Sequence, residues 1–245
     1  MRIATWNLQR KRPASLNGRV AVDFLRSVSP DIAILTEAWV DHLGPDFQHA
    51  DAGPTGIPFL DEEERKVVIA SRWPLTEVRT DLDVPTAGRF VSAAIETPGG
   101  ILTVIGVCIP WFASRVKGGA AKNWEDHRAF LRALSPVLRE AVQGPCLVAG
   151  DFNQRIPRSR QPRTVADLLE ETFSNFAIPS SGERRETGRM LIDHVAISPS
   201  LQCGDVASWS GESDGKKMSD HDGVSVEVSF KGEGKTNFAA TGHAS

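Results

Sequence analysis

Five stretches of this sequence end or interrupt an apolar run with a carboxylate, an amide or an imidazole. Asn7 closes MRIATWN, Glu37 follows DIAILT, Asp151 and Asn153 follow CLVAG, Asp193 and His194 interrupt MLIDHVAIS, and Asp220 and His221 stand in MSDHDGVSV. In LVAGDFNQ the alternation of an extended chain puts Asp151 and Asn153 on one face and Phe152 on the other. One strand-ending Asp is ordinary turn or cap chemistry, and one His beside apolar residues is ordinarily a satisfied core histidine. Five such positions in 245 residues describe a site. Oxygen-rich ligands without thiolates suit a hard cation such as Mg2+, with Mn2+ as a substitute, sharing its coordination with a substrate phosphate. Phosphoester hydrolysis needs that set: a cation against phosphate charge, a base for water, and donors on the non-bridging oxygens.

The elements that must position these residues are short apolar strands alternating with helical stretches. The pattern predicts strands near 2–8, 31–36, 66–71, 90–96, 101–108, 145–150, 190–198 and 224–230, bounded by Gly, Pro and Asp turn signals. Leu16, Val20, Phe24 and Val28 recur at helical spacing, as do Phe130, Leu134, Val137 and Leu138 within 123–142, where Pro136 predicts a kink or break. A strand-rich core covered by helices follows. The length and the 40% hydrophobic, 24% charged composition predict one soluble domain over 1–230, and the aperiodic residues 231–245 predict a loosely held tail. No apolar run is long enough to span a membrane, and the first residues read as a strand, so the expected location is cytoplasmic. Cys108, Cys146 and Cys203 are widely spaced without a CxxC, against a zinc site or a disulfide framework.

In order, WN at 6–7, LTE at 35–37, GDFN at 150–153, IDH at 192–194 and SDH at 219–221 resemble the five signatures of the endonuclease/exonuclease/phosphatase superfamily. The resemblance spans residues 1–230. It implies an α/β (α+β) four-layer sandwich, two mixed β-sheets packed face to face and flanked by helices, with metal-dependent phosphate-ester hydrolysis at one edge. Residue types and matched positions together assign the roles. Glu37 is the leading metal ligand, with Asn7 beside it and Asp220 as a further ligand. Asp151 is the base for the attacking water and Asn153 positions that water or the phosphate. His221, oriented by Asp220, donates to a phosphate oxygen, and Asp193 supports the phosphate side. His194 packs outside this set. One position departs from the pattern: where the deoxyribonuclease branch has His and the apurinic-endonuclease branch Tyr, this sequence has Cys108, a weak donor, and the chain contains no Tyr.

The net charge of −3 does not announce a polyanion binder, but its distribution does. Twelve of the 28 basic residues fall in four loops beside the signatures, among them Arg10, Arg155, Arg158 and Arg160. Trp111 and Phe112, with Arg115 and Lys117 after them, add an aromatic and basic loop suited to stacking on a base. The expected substrate is therefore DNA or RNA. A small phosphorylated metabolite is the alternative, as is a weakly catalytic relative that binds nucleic acid or a protein; neither a membrane nor an obligate protein partner is expected.

Overall fold

Val, Ile and Thr crowd into runs such as KVVIA, LTVIGV and GVSVEV, where branched side chains suit a pleated, half-buried surface. In a computed structural model, which describes residues 1–55, 61–84, 87–114, 122–213 and 215–232, these runs are strands. The first half of the chain forms β1 (Arg2–Asn7), α1 (Leu16–Val28), β2 (Ile32–Trp39), β3 (Gln48–Asp51), β4 (Glu64–Ser71), β5 (Leu75–Arg79), β6 (Phe90–Thr97) and β7 (Gly100–Cys108). The second half begins with α2 (Glu125–Ala141), β8 (Cys146–Asp151), α3 (Arg163–Thr172) and a short hairpin of β9 (Glu183–Arg184) and β10 (Arg189–Met190). It ends with β11 (Asp193–Ile197), β12 (Leu201–Trp209), a short hairpin of β13 (Glu212–Ser213) and β14 (Lys216–Lys217), and β15 (Gly223–Phe230). The expected tail from residue 233 onward, Arg115 and Lys117 lie outside the described residues.

One large sheet has the order β12-β15-β1-β2-β4-β3 and the other β11-β8-β7-β6-β5. Each holds a single parallel pair, β1 with β2 and β7 with β8, among antiparallel neighbours. The sheets face each other across a buried layer in which Ile3, Ile34 and Ile69 meet Val104, Leu147 and Val195. Side-chain alternation sends Ala4, Leu35 and Val68 the other way, onto Ala21 and Leu25 of α1. On the opposite outer face Ile105, Val148 and Ala196 pack on Phe130 and Leu134 of α2 and Leu169 of α3. This is the four-layer mixed sandwich that the resemblance implies. Gly106 permits its closeness, because a Cβ there would stand 2.7 Å from a methyl of Val67 on the facing sheet.

Local chemistry fixes the helices. Ser15 caps α1 by accepting from the Gly18 amide, and Ser29 ends it in the left-handed region. The expected break at Pro136 is not found, for α2 continues through it to Ala141. Pro136 and Arg132 both lie on the exposed face, so water can satisfy the carbonyl that the missing N–H leaves open.

The topology gathers strand ends at one edge. β1, β2, β7 and β8 deliver their carboxyl ends there, with Asn7, Glu37, Cys108 and Asp151. The antiparallel partners β4, β11 and β15 start from the same edge, bringing Lys66, Asp193 and the loop of His221.

Candidate active site

Asp151 is the centre of the edge. It is buried, and three donors hold its carboxylate: the Asn153 amide to Oδ1 at 2.8 Å, with Asn7 Nδ2 at 3.1 Å and Asn153 Nδ2 at 2.9 Å on Oδ2. The Asn7 contact joins the two sheets. Asn153 spends its second amide hydrogen on the Ile109 carbonyl at 2.8 Å, leaving Oδ1 as its acceptor for a guest. Gly150 precedes Asp151 for steric reasons: at φ 137° a Cβ would lie 1.9 Å from the Val107 carbonyl oxygen. Burial pushes the Asp151 carboxyl up to about 7, against the opposing pull of His221.

Asp193 stands directly opposite Asp151 in the β8–β11 ladder and is completely buried. Its Oδ2 meets His221 Nδ1 at 2.6 Å, while among the described residues Oδ1 has no hydrogen-bond partner. One ligand-capable atom from each of Asp151, Asp193 and His221 falls within 4.8 Å of the others. Burial by itself would lower the basicity of His221, but Asp193 and Asp151 outweigh it and push the imidazole up to about 10. Both carboxylates thus favour the imidazolium over the neutral ring. Its loop is fastened to β1, since Trp6 Nε1 donates to the His221 carbonyl at 2.9 Å and Ser219 Oγ donates to the Asn7 carbonyl while accepting the His221 amide. A wall of Trp6, Phe24 and Trp209, with ring centroids 5.6–6.1 Å apart, backs this fastening.

The orienting role expected of Asp220 belongs to Asp193. Asp220 Oδ1 is 4.0 Å from His221 Nε2 and its side chain is 47% exposed, so it neither fixes the ring nor joins the buried cluster as a ligand. His194 lies outside the site, as expected. It is buried against Phe152, donates from Nε2 to the Gln154 carbonyl and accepts from Ser180 at Nδ1.

Glu37 occupies a neighbouring corner. It sits at φ 49° opposite Lys66 in the β2–β4 ladder, between the pairs Thr36–Val67 and Ala38–Arg65. Lys66 Nζ is 2.8 Å from its Oε1, and Arg10 Nε lies 3.4 Å from its Oε2 and 3.2 Å from Glu64 Oε1. Burial tends to raise the Glu37 carboxyl, but Lys66 and then Arg10 hold it below the usual carboxylate range. Arg10, expected on the substrate side, is thus engaged with two carboxylates. Gln9, Arg10, Glu37 and Asn153 all have positive φ without being glycine, so backbone strain concentrates at this edge.

Sequence reasoning missed Lys66, whose signal was a lysine opening the buried run KVVIA. It also missed Arg89, which donates to both the carbonyl and the thiol of Cys108, at 3.1 and 3.4 Å. Cys108 itself is buried beside Asp151 in the β7–β8 ladder, and burial pushes its thiol up to about 12, so it stays neutral. The loop after Asp151 is pinned by Gln161, which accepts from the amides of Ser159 and Arg160 and donates to the Arg155 carbonyl, leaving Arg155, Arg158 and Arg160 exposed. Trp111 and Phe112 are 50% and 45% exposed with ring centroids 5.0 Å apart; Arg115 of that loop is beyond the described residues.

The donor set fits a hard divalent cation. Glu37 supplies a carboxylate, and two buried oxygens, Asp193 Oδ1 and Gln9 Oε1, have no partner among the described residues. No thiolate takes part.

A model of the endonuclease/exonuclease/phosphatase family matches residues 4–221, and the chain belongs to that family, whose members are metal-dependent hydrolases of phosphoric esters. Among solved structures it is similar to the 3' phosphatase NExo from Neisseria, bound to a product DNA hairpin, with 18% identity, TM-score 0.67, and coverage of 94% of this chain and 100% of that one. An AP endonuclease from Archaeoglobus fulgidus shares 17% identity at TM-score 0.67, covering 94% and 99% of the two chains. The human Nocturnin catalytic domain with a bound sulfate anion shares 16% identity at TM-score 0.66, covering 94% and 93%. These likenesses establish the common fold. No curated protein matches the chain by sequence.

Proposed function

We propose that this protein is a Mg2+-dependent phosphodiesterase of DNA or RNA, with Mn2+ as a substitute, working in the cytoplasm through a water activated by Asp151. The observation that carries the reading is the cluster of buried Asp151 and Asp193 with half-buried His221, all within 4.8 Å by their ligand-capable atoms. A divalent cation held at Glu37, with Asn7 and Gln9 nearby, supplies countercharge to the phosphate when bound. The protein's own residues do the rest. Asp193 occupies Nδ1 of His221, so Nε2–H is the free donor, and as part of an imidazolium it makes a charge-assisted bond to a non-bridging oxygen. Asp151, its basicity raised to about 7, is matched to taking a proton from water near neutral pH. Asn153 Oδ1 accepts from that water and fixes its approach.

Nucleic acid is favoured by the exposed arginines of the loop after Asp151 and by the exposed Trp111–Phe112 pair. Among the described residues no helix is long and apolar enough to cross a membrane. The test is a panel of plasmid, single strand, abasic duplex, RNA and small phosphate esters, each with Mg2+ and with excess chelator. Chelator-sensitive cleavage of at least one nucleic acid is expected. Turnover of small esters alone, or full activity in chelator, would overturn the assignment.

A further inference from the structure

Glu37 is the carboxylate on which the cation is placed, yet in this chain it is already paired twice. Lys66, with a side chain only 3% exposed, holds one oxygen at 2.8 Å, and Arg10 approaches the other at 3.4 Å. The arrangement is built into the backbone. The unbroken β2–β4 register sets Glu37 opposite Lys66, and the Arg10 amide donates to the Glu37 carbonyl at 2.9 Å. Arg10 also reaches Glu64, so two carboxylates meet two cations and the charges at this corner balance. A divalent cation draws on unspent negative charge, and little is unspent here. Nor can the ammonium withdraw easily, because a buried charge without a partner is costly. Two like charges a few ångströms apart at one carboxylate repel strongly even at the effective dielectric of a protein edge.

We propose that Lys66 is a resident counter-ion of Glu37 that competes with the metal, so that the affinity of this site for a divalent cation is set by the cost of displacing or crowding an ammonium. The inference rests on the reading that the cation binds at Glu37. It makes Lys66 a positioning residue: in the metal-free protein it holds the Glu37 carboxylate from across the ladder, and it keeps cation binding weak and exchangeable.

The test is direct Mn2+ binding to the full chain, followed by electron paramagnetic resonance of free Mn2+, for wild type, Lys66→Met, Lys66→Arg and Glu37→Gln, with folding checked by circular dichroism. Lys66→Met should bind Mn2+ at least about tenfold more tightly than wild type, since it removes the competing charge at similar volume. Lys66→Arg keeps the charge and should stay within about threefold of wild type. If Lys66→Met does not fold, Lys66→Gln carries the same expectation. Unchanged or weaker binding in the uncharged variant, with Glu37→Gln still weakening it, would overturn the competition alone. Unchanged binding in Glu37→Gln would remove the cation from Glu37 and overturn both readings.

Discussion

Asp193 and Asp151 are directly paired residues of the β8–β11 ladder, so two buried carboxylates share one face of the sheet. Such a pair repels itself unless a cation lies with it, and the His221 imidazolium meets that need from β15's entry loop. The relation explains why the ring is held at Nδ1 by Asp193. Its basicity belongs to the cluster as much as to the ring.

That dependence gives the first prediction. Asp193→Asn removes the nearest countercharge while leaving the ring buried, so desolvation gains ground and the His221 pKa should fall from about 10. Imidazole NMR signals followed from pH 5 to 10 measure this. A ring that stays protonated through pH 9 in the folded variant would show that Asp193 does not sustain it.

Asp151→Asn should lower the hydrolytic rate by at least about 10²-fold, since the amide keeps the shape and loses the base. Its effect on stability should have the opposite sign. A carboxyl whose pKa is raised by burial destabilises the folded state once pH exceeds its unfolded value near 3.8, so the variant's melting temperature at pH 8 should equal or exceed that of wild type. A rate near wild type places the base elsewhere.

Much of this site was legible because strand-ending polar residues are rare in apolar runs, and Asn7, Asp151 and Asn153 needed only their own strands to be placed. Asp220 misled because adjacency in sequence was read as adjacency in space. The true partner of His221, Asp193, lies 28 residues away and arrives through a different sheet. Lys66 was hidden for the same reason, since its meaning depends on standing opposite Glu37 in the β2–β4 ladder. Strands β3, β5 and β12 were not expected; they lie at the sheet edges, where polar residues face water and the apolar alternation fades. Helix α3 was not among the predicted elements, although Val165, Ala166 and Leu169 mark a buried face.

Acid should destabilise the protein through two histidines that catalysis does not use. His127 donates from Nδ1 to the Pro110 carbonyl and accepts from Gln154 at Nε2, while His194 donates to the Gln154 carbonyl. Both are buried, and burial lowers each to about 4. The unfolded chain binds these protons near pH 6.5 and the folded one resists, so the contribution is complete above about pH 6.5 and is lost as pH falls toward about 4. Melting curves between pH 7 and 5 should fall more steeply for wild type than for His127→Gln. The slope is the readout, because the variant starts from a lower stability. Equal slopes would mean that His127 already titrates freely in the folded protein.

Arg158 and Arg160 project from the loop that Gln161 pins beside Asp151. If they hold phosphates of a single strand, replacing both with Gln should reduce the salt dependence of binding by about 1.4 in the logarithmic slope. Fluorescence anisotropy of a labelled oligonucleotide across a salt series measures it. An unchanged slope moves the polyanion path to another face.

The last prediction separates Cys108 from His221, which both lie beside Asp151. The Cys108 thiol is buried beside Asp151, stays neutral because burial pushes it up to about 12, and already interacts with Arg89 through sulfur and carbonyl alike. A neutral thiol gives little to a developing negative charge, and Arg89 keeps its carbonyl contact when the sulfur is removed. Cys108→Ala should therefore cost less than about tenfold in rate, with a modest loss of stability from the small cavity. His221→Ala removes a charged donor and also strands Asp151 and Asp193 as two buried carboxylates without their imidazolium, so the rate should fall by about 10² or more. Adding imidazole to His221→Ala should restore part of that rate if the missing donor is the cause. The reverse ranking in folded protein, with Cys108→Ala the more damaging and His221→Ala mild, would make the thiol a participant and leave the imidazolium a structural counter-ion.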